Sequence, residues 1–350
     1  MDAAAYLNGE LPLSFNLLDP ATADALSQEE EFLRKEETAA ANDAIFTFRG
    51  EQLLKTNPDG AVRYMSRRNA VFFGETHDSV RDKRLATRIL RQLQQRRKLA
   101  LGLEMVQQPF QPVLDWYVYR ATPSKAADRT LRRETEWDSR WGWDFDAYLP
   151  ILKYAQLHKV PTVALNVEAE LTSRVREYGL SSLSRAERAR LIMDPEGFRE
   201  DTIAPSFAAY ADAVLRPSFD AHVAMGMFSH SENAFSNFVS NRILWDETMA
   251  SVASRFLLKN PDYLLCGLVG GAFTAVPCRV ARDPPPLSPL PPRSGAGRQT
   301  MRSARRVYAH RVVQSPCVQT LTYVCVFVCV AIQAITSRQH MGSRRGSSGS

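Results

Sequence analysis

Four short runs of apolar residues recur along the first 270 positions, at residues 70–73, 99–103, 162–165 and 263–269. Each run is too short for a buried helix, does not alternate between apolar and polar positions, and is followed by glycine or polar residues. Short uninterrupted runs of this kind are typical of strands that are covered on both faces, as in a parallel sheet. We therefore predict a parallel sheet built from these four runs.

The segments between the runs carry helical periodicity. Residues 82–98 place leucine and isoleucine at three- and four-residue spacings, with arginines on the outer face of the resulting helix. A strand, a helix of this length and a second strand predict a right-handed βαβ unit. Residues 109–119 and 146–159 predict two further helices, and residues 167–262 predict a helical insertion over one end of the sheet. The expected fold class is therefore α/β, with a parallel sheet flanked by helices.

Residues 1–60 precede the first predicted strand and form an N-terminal extension. We expect this extension to be helical, because Ser27 and Glu30 have the spacing of a capping box. The extension lacks the basic start and apolar core of a secretory signal, and its acidic residues are atypical of a transit peptide. The default expectation is therefore a cytoplasmic protein.

Composition and charge divide the chain near residue 270. The whole sequence has 44 basic and 38 acidic residues, which gives a formal net charge of +6. Residues 271–350 contain eleven arginines and one acidic residue, so residues 1–270 keep 33 basic and 37 acidic residues. Four of the five cysteines also follow residue 270. The charge of the whole chain is therefore no argument for nucleic-acid binding, and the cysteine-poor body fits a reducing compartment.

Residues 271–350 form a basic tail of low complexity. Proline, serine, glycine and arginine dominate much of it without periodicity, which predicts disorder. Residues 318–335 are a weak apolar segment, at the short edge of the ~20 residues that a membrane span needs. Three explanations of the tail stay open, namely translated non-coding sequence, a membrane anchor and a basic arm for nucleic acid. We favour the first, so neither a membrane nor a nucleic acid is an expected partner.

Polar side chains stand at the ends of three predicted strands. Glu75 and His77 follow the first strand, Glu104 follows the second and Asn166 follows the third. Ligands of open parallel sheets bind beyond the carboxyl ends of the strands, so we expect these four residues to converge. They could bind a metal ion or a cofactor, or divide acid and base roles between Glu75 and Glu104. The alternative is that each has an ordinary structural role, such as capping a helix or pairing with an arginine.

Three tryptophans lie within one short segment, at Trp137, Trp141 and Trp143. Indole rings at this density usually pack or stack against another group. One interpretation is the aromatic wall of a ligand pocket, with Arg140 beside an anionic group of the ligand. The other interpretation is a surface loop that its indoles pin to the core.

A third candidate is the segment from His222 to His230, which also contains Met225 and Met227. Histidine and methionine side chains can ligate haem iron. The two histidines are two helical turns apart, however, so they do not form a chelating pair. Core packing is the favoured interpretation, and Tyr210 is a nearby alternative iron ligand.

Five sequence blocks occur in order between residues 70 and 270: GETHDS, LALGLEM, EWDSRWGWDF, VALN and ILWDETMA. They resemble the ChaN-like haem-binding uptake family, whose superfamily also contains erythromycin-esterase-like proteins and Tiki-type metalloproteases. The resemblance implies a parallel α/β sheet with a helical lid, and a role in haem or iron handling. It also implies a plastid as a second expected compartment, since photosynthetic relatives are often plastidial. The positions that match the family's site blocks are Glu75, His77, Glu104, Trp137, Asp138, Trp141, Trp245 and Asp246.

The sequence departs from the family pattern after the fourth strand. In relatives this strand runs into a turn that ends in a histidine, whereas here no histidine occurs between Gly270 and His310. The resemblance ends at the same place. We therefore expect the domain of the family type to span residues 61–270.

Three functions remain open at this point. The first, which we favour, is a protein that binds haem or iron, with haem or another small molecule as its partner and a homodimer as an open assembly state. The second is a metal-dependent hydrolase in which Glu75, His77 and Glu104 hold a divalent ion or activate water. The third is a truncated, non-functional product. The sequence alone does not decide whether the chain is an enzyme.

Overall fold

The structure is a computed structural model that describes residues 45–49, 52–228, 233–270 and 326–329, with isolated helical positions at Pro20, Ala23, Asp24, Ser27 and Glu31. The strands are β1 (Ile45–Arg49), β2 (Gln52–Thr56), β3 (Ala70–Glu75), β4 (Lys98–Gln107), β5 (Thr162–Asn166), β6 (Tyr263–Gly270) and β7 (Val326–Cys329). The helices are α1 (Pro58–Met65), α2 (Val80–Gln94), α3 (Gln111–Tyr119), α4 (Lys125–Glu134), α5 (Trp137–Arg140), α6 (Phe145–Leu157), α7 (Ala169–Tyr178), α8 (Arg185–Leu191), α9 (Pro195–Thr202), α10 (Pro205–Tyr210), α11 (Arg216–Ala224) and α12 (Ala234–Lys259).

The centre of the fold is a parallel sheet in the order β5-β4-β6-β3, with the short β7 antiparallel to the outer side of β3. The expected α/β class is confirmed, and the four apolar runs form the four parallel strands. One detail differs from the simple βαβ unit. The last parallel strand, β6, lies between β3 and β4, so α2 crosses over one strand position. An apolar run shows that a strand is buried, but it does not show which strands are its neighbours.

Helical layers cover both faces of the sheet. On one face, α2, α3 and α6 pack against β3, β4 and β6 in a large hydrophobic cluster. On the other face, α12 packs Met249, Ala253 and Leu257 against side chains such as Phe72 and Leu265. Because successive residues of a strand point to opposite faces, a sheet covered on both faces needs apolar residues at every position. This explains why the strands appear as uninterrupted runs.

Two glycines leave space for this second layer. Gly102 of β4 is paired in register with Gly267 of β6. A Cβ atom on Gly267 would lie 2.3 Å from the ring of Phe72, and one on Gly102 would lie 2.8 Å from Leu165. Both distances are shorter than a van der Waals contact, so a larger residue at either position would displace the side chains that pack against α12.

A side chain completes the outer edge of β5. Gln111, at the start of α3, donates from Nε2 to the carbonyl of Thr162 (2.7 Å), and its Oε1 accepts from the amide of Ala164 (2.8 Å). Its amide group therefore takes the place of a peptide group in a neighbouring strand. Both strand residues are buried, so water cannot readily supply these hydrogen bonds instead.

The segment between β5 and β6 is a helical insertion that contains α7 to α12. Ser184 and Glu187 form a capping box at the start of α8. A π-helical turn, Ala211–Leu215, separates α10 from α11. Pro217 follows this turn at the start of α11 and cannot donate a backbone hydrogen bond, which favours local widening of the helix.

The N-terminal extension is not wholly helical, contrary to expectation. Ser27 and Glu31 are helical, but β1 and β2 form an antiparallel hairpin with Ile45 opposite Thr56. The sequence signal for this hairpin is a pair of strand-like segments separated by only Gly50 and Glu51. A spacing of two residues is typical of tight hairpins.

Most of the tail lies outside the described residues. The predictions of disorder and of an apolar segment at residues 318–335 fall there, with the exception of β7. Among the helices that the structure describes, none combines the length and the apolar character needed to cross a membrane.

Replacing Gln111 by alanine should lower the free energy of unfolding by about 2–3 kcal/mol, because one buried N–H and one buried carbonyl lose their partner. Urea unfolding measures this change. Gln95→Ala, at an exposed position after α2, is the control and should cost less than about 0.5 kcal/mol. If the two variants are equally stable, the β5 edge does not depend on the Gln111 amide.

Candidate functional site

Glu75, the last residue of β3, is the centre of a buried polar cluster. Its Oε1 accepts hydrogen bonds from the Tyr148 hydroxyl (2.6 Å) and from His77 Nδ1 (2.8 Å), and its carboxylate forms an ion pair with Lys83. Burial alone would raise the pKa of Glu75, but the hydrogen bonds and the charge of Lys83 together lower it below its ordinary value. Glu75 is therefore an ionised group that only accepts hydrogen bonds.

This carboxylate fixes the tautomer of His77. Because Glu75 can only accept, Nδ1 of His77 must be the donor, and the lone pair of the neutral ring lies on Nε2. The centre of the imidazole is 4.8 Å from that of Trp141 and 5.1 Å from that of Trp143. The His77 side chain is 23% exposed, so a molecule from solvent can reach it.

Lys83, on α2, ties the turn after β3 to that helix. It has no exposed surface, and besides pairing with Glu75 its ammonium donates to the carbonyls of Thr76 (2.8 Å) and His77 (2.6 Å). The same ammonium lies 4.5 Å from the centre of the Tyr148 ring, at cation–π distance. The cluster therefore joins β3, α2 and α6.

The tryptophan segment combines both of its expected roles. Trp137 is buried and donates from Nε1 to the carbonyl of Trp143 (2.8 Å), which pins the segment to the core. Trp141 and Trp143 instead contact the ring of His77, and Trp141 also donates to the Tyr148 hydroxyl (3.3 Å). Two of the three indoles thus line the surface around His77.

Arg140 is bound by groups of the protein. Its guanidinium donates to Gln107 (2.8 Å), to Glu136 (2.7 Å) and, through two nitrogens, to Glu170 (2.9 and 3.1 Å). The hydrogen bonds to Glu170 and then to Glu136 raise the pKa of Arg140. An anionic ligand would have to displace one of these glutamates, so the geometry favours a structural role for Arg140 between α5, β4 and α7.

Glu104, on β4, lies at the same end of the sheet as Glu75 but on the opposite face. Its neighbours Leu103 and Met105 pack in the cluster on the α6 side. The charges that act on Glu104 from α12 are those of Arg242 and Asp246. Strand alternation therefore divides the expected site between two faces of the sheet.

Only one oxygen of the Glu104 carboxyl has a hydrogen-bond partner among the described residues. Glu104 is 1% exposed, its Oε2 accepts from the amide of Gly270, and its Oε1 has no hydrogen-bond partner among the described residues. Burial above all, with smaller contributions from the charges of Asp246 and Glu75, raises the pKa of Glu104 to about 8. A protonated carboxyl is therefore favoured at neutral pH.

Asp246 and Tyr210 extend the Glu104 side of the site. Burial above all raises the pKa of Asp246 to about 7, and its Oδ1 has no hydrogen-bond partner in the described part of the chain. Burial and the charge of Asp246 raise the pKa of Tyr210 to about 12, against the opposing charge of Arg242. The charges of Asp246 and Arg242 thus act on both Glu104 and Tyr210.

Asn166 ends β5 as expected and is paired in register with Gln107. It is buried, and its Oδ1 accepts no hydrogen bond from any residue that the structure describes. An acceptor in this state needs a ligand or a water molecule as its donor. Asn166 therefore remains a candidate for ligand binding at the strand ends.

The structure does not assemble the expected metal site. Within the described ranges, no three His, Cys, Asp or Glu side chains are grouped so that they could hold a metal ion. The predicted set is divided, because Glu75 is already bound by Lys83 and Glu104 lies on the other face of the sheet. The geometry gives the divalent-metal prediction no support.

His222 lies in a separate aromatic cluster of the insertion. Its Nδ1 donates to the carbonyl of Ser218 (2.7 Å), so the lone pair of the neutral ring is again on Nε2. The ring contacts Phe228 and Phe238. The half-buried His222 is therefore consistent with the favoured core packing, but it also has the tautomer that a metal-ligating histidine needs.

The same insertion exposes several large apolar side chains. Met225 and Met227 are 64% and 61% exposed, so the core packing expected for them is wrong. Ile203 and Val214 are exposed as well. His230 falls outside the described residues, and its predicted role in haem binding stays a prediction.

Two buried groups of the site, Lys83 and Tyr148, were not expected from the sequence. Helical periodicity could have identified both, because each lies on the buried stripe of its helix. Lys83 shares the apolar stripe of α2 with Ala86 and Leu90, where a charged residue needs a buried partner. Tyr148 lies on the buried stripe of α6 with Ile151, and its hydroxyl needs a partner for the same reason.

One protein family and one solved structure match this chain. Residues 61–274 match the family model described as "Haem-binding uptake, Tiki superfamily, ChaN". A similar solved structure is titled "Cofacial heme binding to ChaN of Campylobacter jejuni"; its sequence identity is 15%, the match covers 66% of this chain and 85% of that chain, and the TM-score is 0.42. No curated protein matches the chain.

Glu104→Gln should remove a pH dependence of stability. Folding raises the pKa of Glu104 to about 8, so the folded state binds this proton more tightly than the unfolded state does. The stabilisation that the protonated carboxyl contributes is therefore lost as the pH rises from the ordinary pKa of a glutamate towards the raised one. We expect the wild type to lose about 3–4 kcal/mol of unfolding free energy between about pH 5 and pH 8 through this group. Urea unfolding across this range measures the loss.

The matched control is Glu134→Gln, which changes an exposed glutamate paired with Arg133. It should keep the pH dependence of the wild type, whereas Glu104→Gln should reduce it by at least half. The same slope in all three proteins would contradict the raised pKa of Glu104.

Proposed function

The chain belongs to the haem-binding uptake family of ChaN proteins in the Tiki superfamily, and on this basis we propose that it binds haem between the strand ends and the helical insertion. Haem is a flat, largely apolar molecule with two carboxylates and an iron that needs an axial ligand. A binding surface must therefore supply a donor atom, an apolar face and positive charge.

The observation that carries the proposal is the position of Tyr210. A tyrosine oxygen is one of the protein groups that ligate haem iron. Tyr210 ends α10, is half-buried, and interacts electrostatically with Arg242 and Asp246 of α12. It is followed by the π-helical turn Ala211–Leu215, a type of irregularity that is frequent at functional sites. Tyr210 is thus the residue that we expect to hold the iron.

The insertion also offers apolar surface for the porphyrin. Phe207 and Tyr210 are partly buried against a cluster that contains Phe219 and Phe238. Val214 and the two exposed methionines of the insertion add uncovered apolar surface. An exposed patch of this kind is common at ligand- and protein-binding sites.

Positive charge is present on the same insertion. Arg242 acts on the charges of Tyr210 and Asp246. Arg216, at the start of α11, is exposed and lies 3.4 Å from the centre of the Phe235 ring. The exposed guanidinium of Arg216 could therefore face a propionate, and Arg242 adds positive charge beside Tyr210. The residues present fit haem in donor, surface and charge.

His222 is the second candidate for the iron ligand. Its Nδ1 is held by the carbonyl of Ser218, which leaves Nε2 free of a proton in the neutral ring. The two candidates differ in one property that can be measured. Tyr210 must release a proton to bind iron as a phenolate, whereas neutral His222 need not.

A titration of the full-length protein with ferric haem should therefore give a Soret band whose apparent affinity rises with pH, by up to about tenfold per unit, because one phenol proton is released. Tyr210→Phe should weaken binding at least tenfold and remove most of this pH dependence. Absorption spectra between about pH 6 and pH 9 provide the measurement.

Tyr178→Phe is the control, since Tyr178 is an exposed tyrosine of α7, and it should bind as the wild type does. Loss of the Soret band in His222→Gln but not in Tyr210→Phe would move the iron ligand to α11. Absence of any haem-dependent band in the wild type would refute haem binding.

A second function, hydrolysis of the type found in this superfamily, is favoured by the pair of Glu75 and His77. A carboxylate that holds Nδ1–H leaves Nε2 ready to take a proton from water, which is the arrangement of a general base. Trp141 and Trp143 beside the imidazole could hold an apolar part of a substrate. This activity would use the sheet face opposite the haem site.

If His77 acts as a base, the full-length protein should hydrolyse p-nitrophenyl acetate, and His77→Gln should lower the rate by about 10²-fold or more. Release of p-nitrophenol measures the rate. His158→Gln, the same exchange at the end of α6, should leave the rate unchanged. Equal rates for both variants would exclude His77 as the base.

A further inference from the structure

We propose that Lys83 is a positioning residue that holds His77 in a single tautomer and orientation by acting through Glu75. The inference rests on the second proposed function, in which the imidazole of His77 takes a proton. Lys83 itself has no exposed surface and does not touch solvent. It therefore acts on the site through its protein partners alone.

The first step is that hydrogen bonds from α2 hold the turn after β3 in place. The Lys83 ammonium donates to the carbonyls of both Thr76 and His77, at 2.8 and 2.6 Å. Asp82, the preceding residue, accepts from the amide of Thr76 at 2.8 Å. Two successive helical residues thus bind three backbone groups of a two-residue segment, which fixes the position of the His77 backbone.

The second step is the charge of Glu75. A buried ammonium is stable only when an opposite charge and further acceptors surround it. Glu75 supplies that charge through its ion pair with Lys83, and its Oε1 accepts a hydrogen bond from the Tyr148 hydroxyl. A proton on Glu75 would remove the ion pair and leave the buried ammonium without an opposite charge, so the carboxylate stays ionised.

The third step is the imidazole. An ionised Glu75 at 2.8 Å from Nδ1 accepts a hydrogen bond from Nδ1–H, whereas the other neutral tautomer would place two lone pairs against each other. Without Lys83, the carboxylate would lose its charged partner and the turn would lose two hydrogen bonds. The Nδ1–H tautomer would then lose both its electrostatic and its geometric support.

The test on the wild type uses full-length protein labelled with ¹⁵N-histidine and ¹⁵N-lysine, without haem or substrate. Long-range ¹H–¹⁵N spectra at about pH 8, assigned with His77→Gln, should show His77 protonated at Nδ1 and bare at Nε2. The Lys83 ammonium should give a slowly exchanging signal. A His77 ring protonated at Nε2, or a rapidly exchanging Lys83, would overturn the proposal without the need for any variant.

The test of the coupling uses Lys83→Met, Glu75→Gln and the double variant. Lys83→Met should mix the two tautomers and speed exchange of the His77 Nδ1 proton at least tenfold. In the Glu75→Gln background the same change should alter that exchange rate at least threefold less, because only the hydrogen bonds from Lys83 to the turn are then lost. Equal effects in both backgrounds would mean that Lys83 acts by general destabilisation, and would overturn the proposal.

Lys98→Met, at the exposed start of β4, is the control for loss of a lysine charge and should leave the His77 spectrum unchanged. The spectra do not depend on catalysis. A protein with the Nδ1–H tautomer but no esterase activity would refute the hydrolase and leave the role of Lys83 intact.

Discussion

The whole strand-end site depends on one constraint, the burial of a lysine charge. An ammonium with no exposed surface is unstable in an apolar interior unless several acceptors surround it. Lys83 finds those acceptors in Glu75 and in the turn that follows β3. The requirement of one buried cation therefore determines the path of the backbone after β3, the ionisation of Glu75 and the tautomer of His77.

Strand alternation then separates two carboxyl groups that the sequence places at neighbouring strand ends. Glu75 faces cationic and neutral donors on the α6 side, and its pKa falls. Glu104 lies on the α12 side, where burial above all raises its pKa to about 8. Two carboxyl groups at one end of a sheet whose pKa values are shifted in opposite directions can take different chemical roles, one as a base and the other as an acid. One end of this sheet can thus present a proton acceptor on one face and a protonated carboxyl on the other.

The sequence was sufficient to predict the four parallel strands, because a strand that is buried on both faces appears as a continuous apolar run. It did not reveal that β6 separates β3 from β4, since pairing order depends on contacts between distant segments. It placed Glu75, His77 and Glu104 at one edge but could not show that they occupy different faces. Tyr210 and Asp246 lie on helices that are separated in the sequence, and the electrostatic interaction between them follows from the tertiary structure, which has no local sequence pattern.

The Gln111 amide has a consequence for assembly. An open strand edge is a template on which another chain can add its own strand. On β5 the amide of Gln111 occupies the hydrogen-bonding groups of Thr162 and Ala164, and on the far side β3 is paired with β7. Growth of the sheet by addition of a second copy is therefore disfavoured at β5.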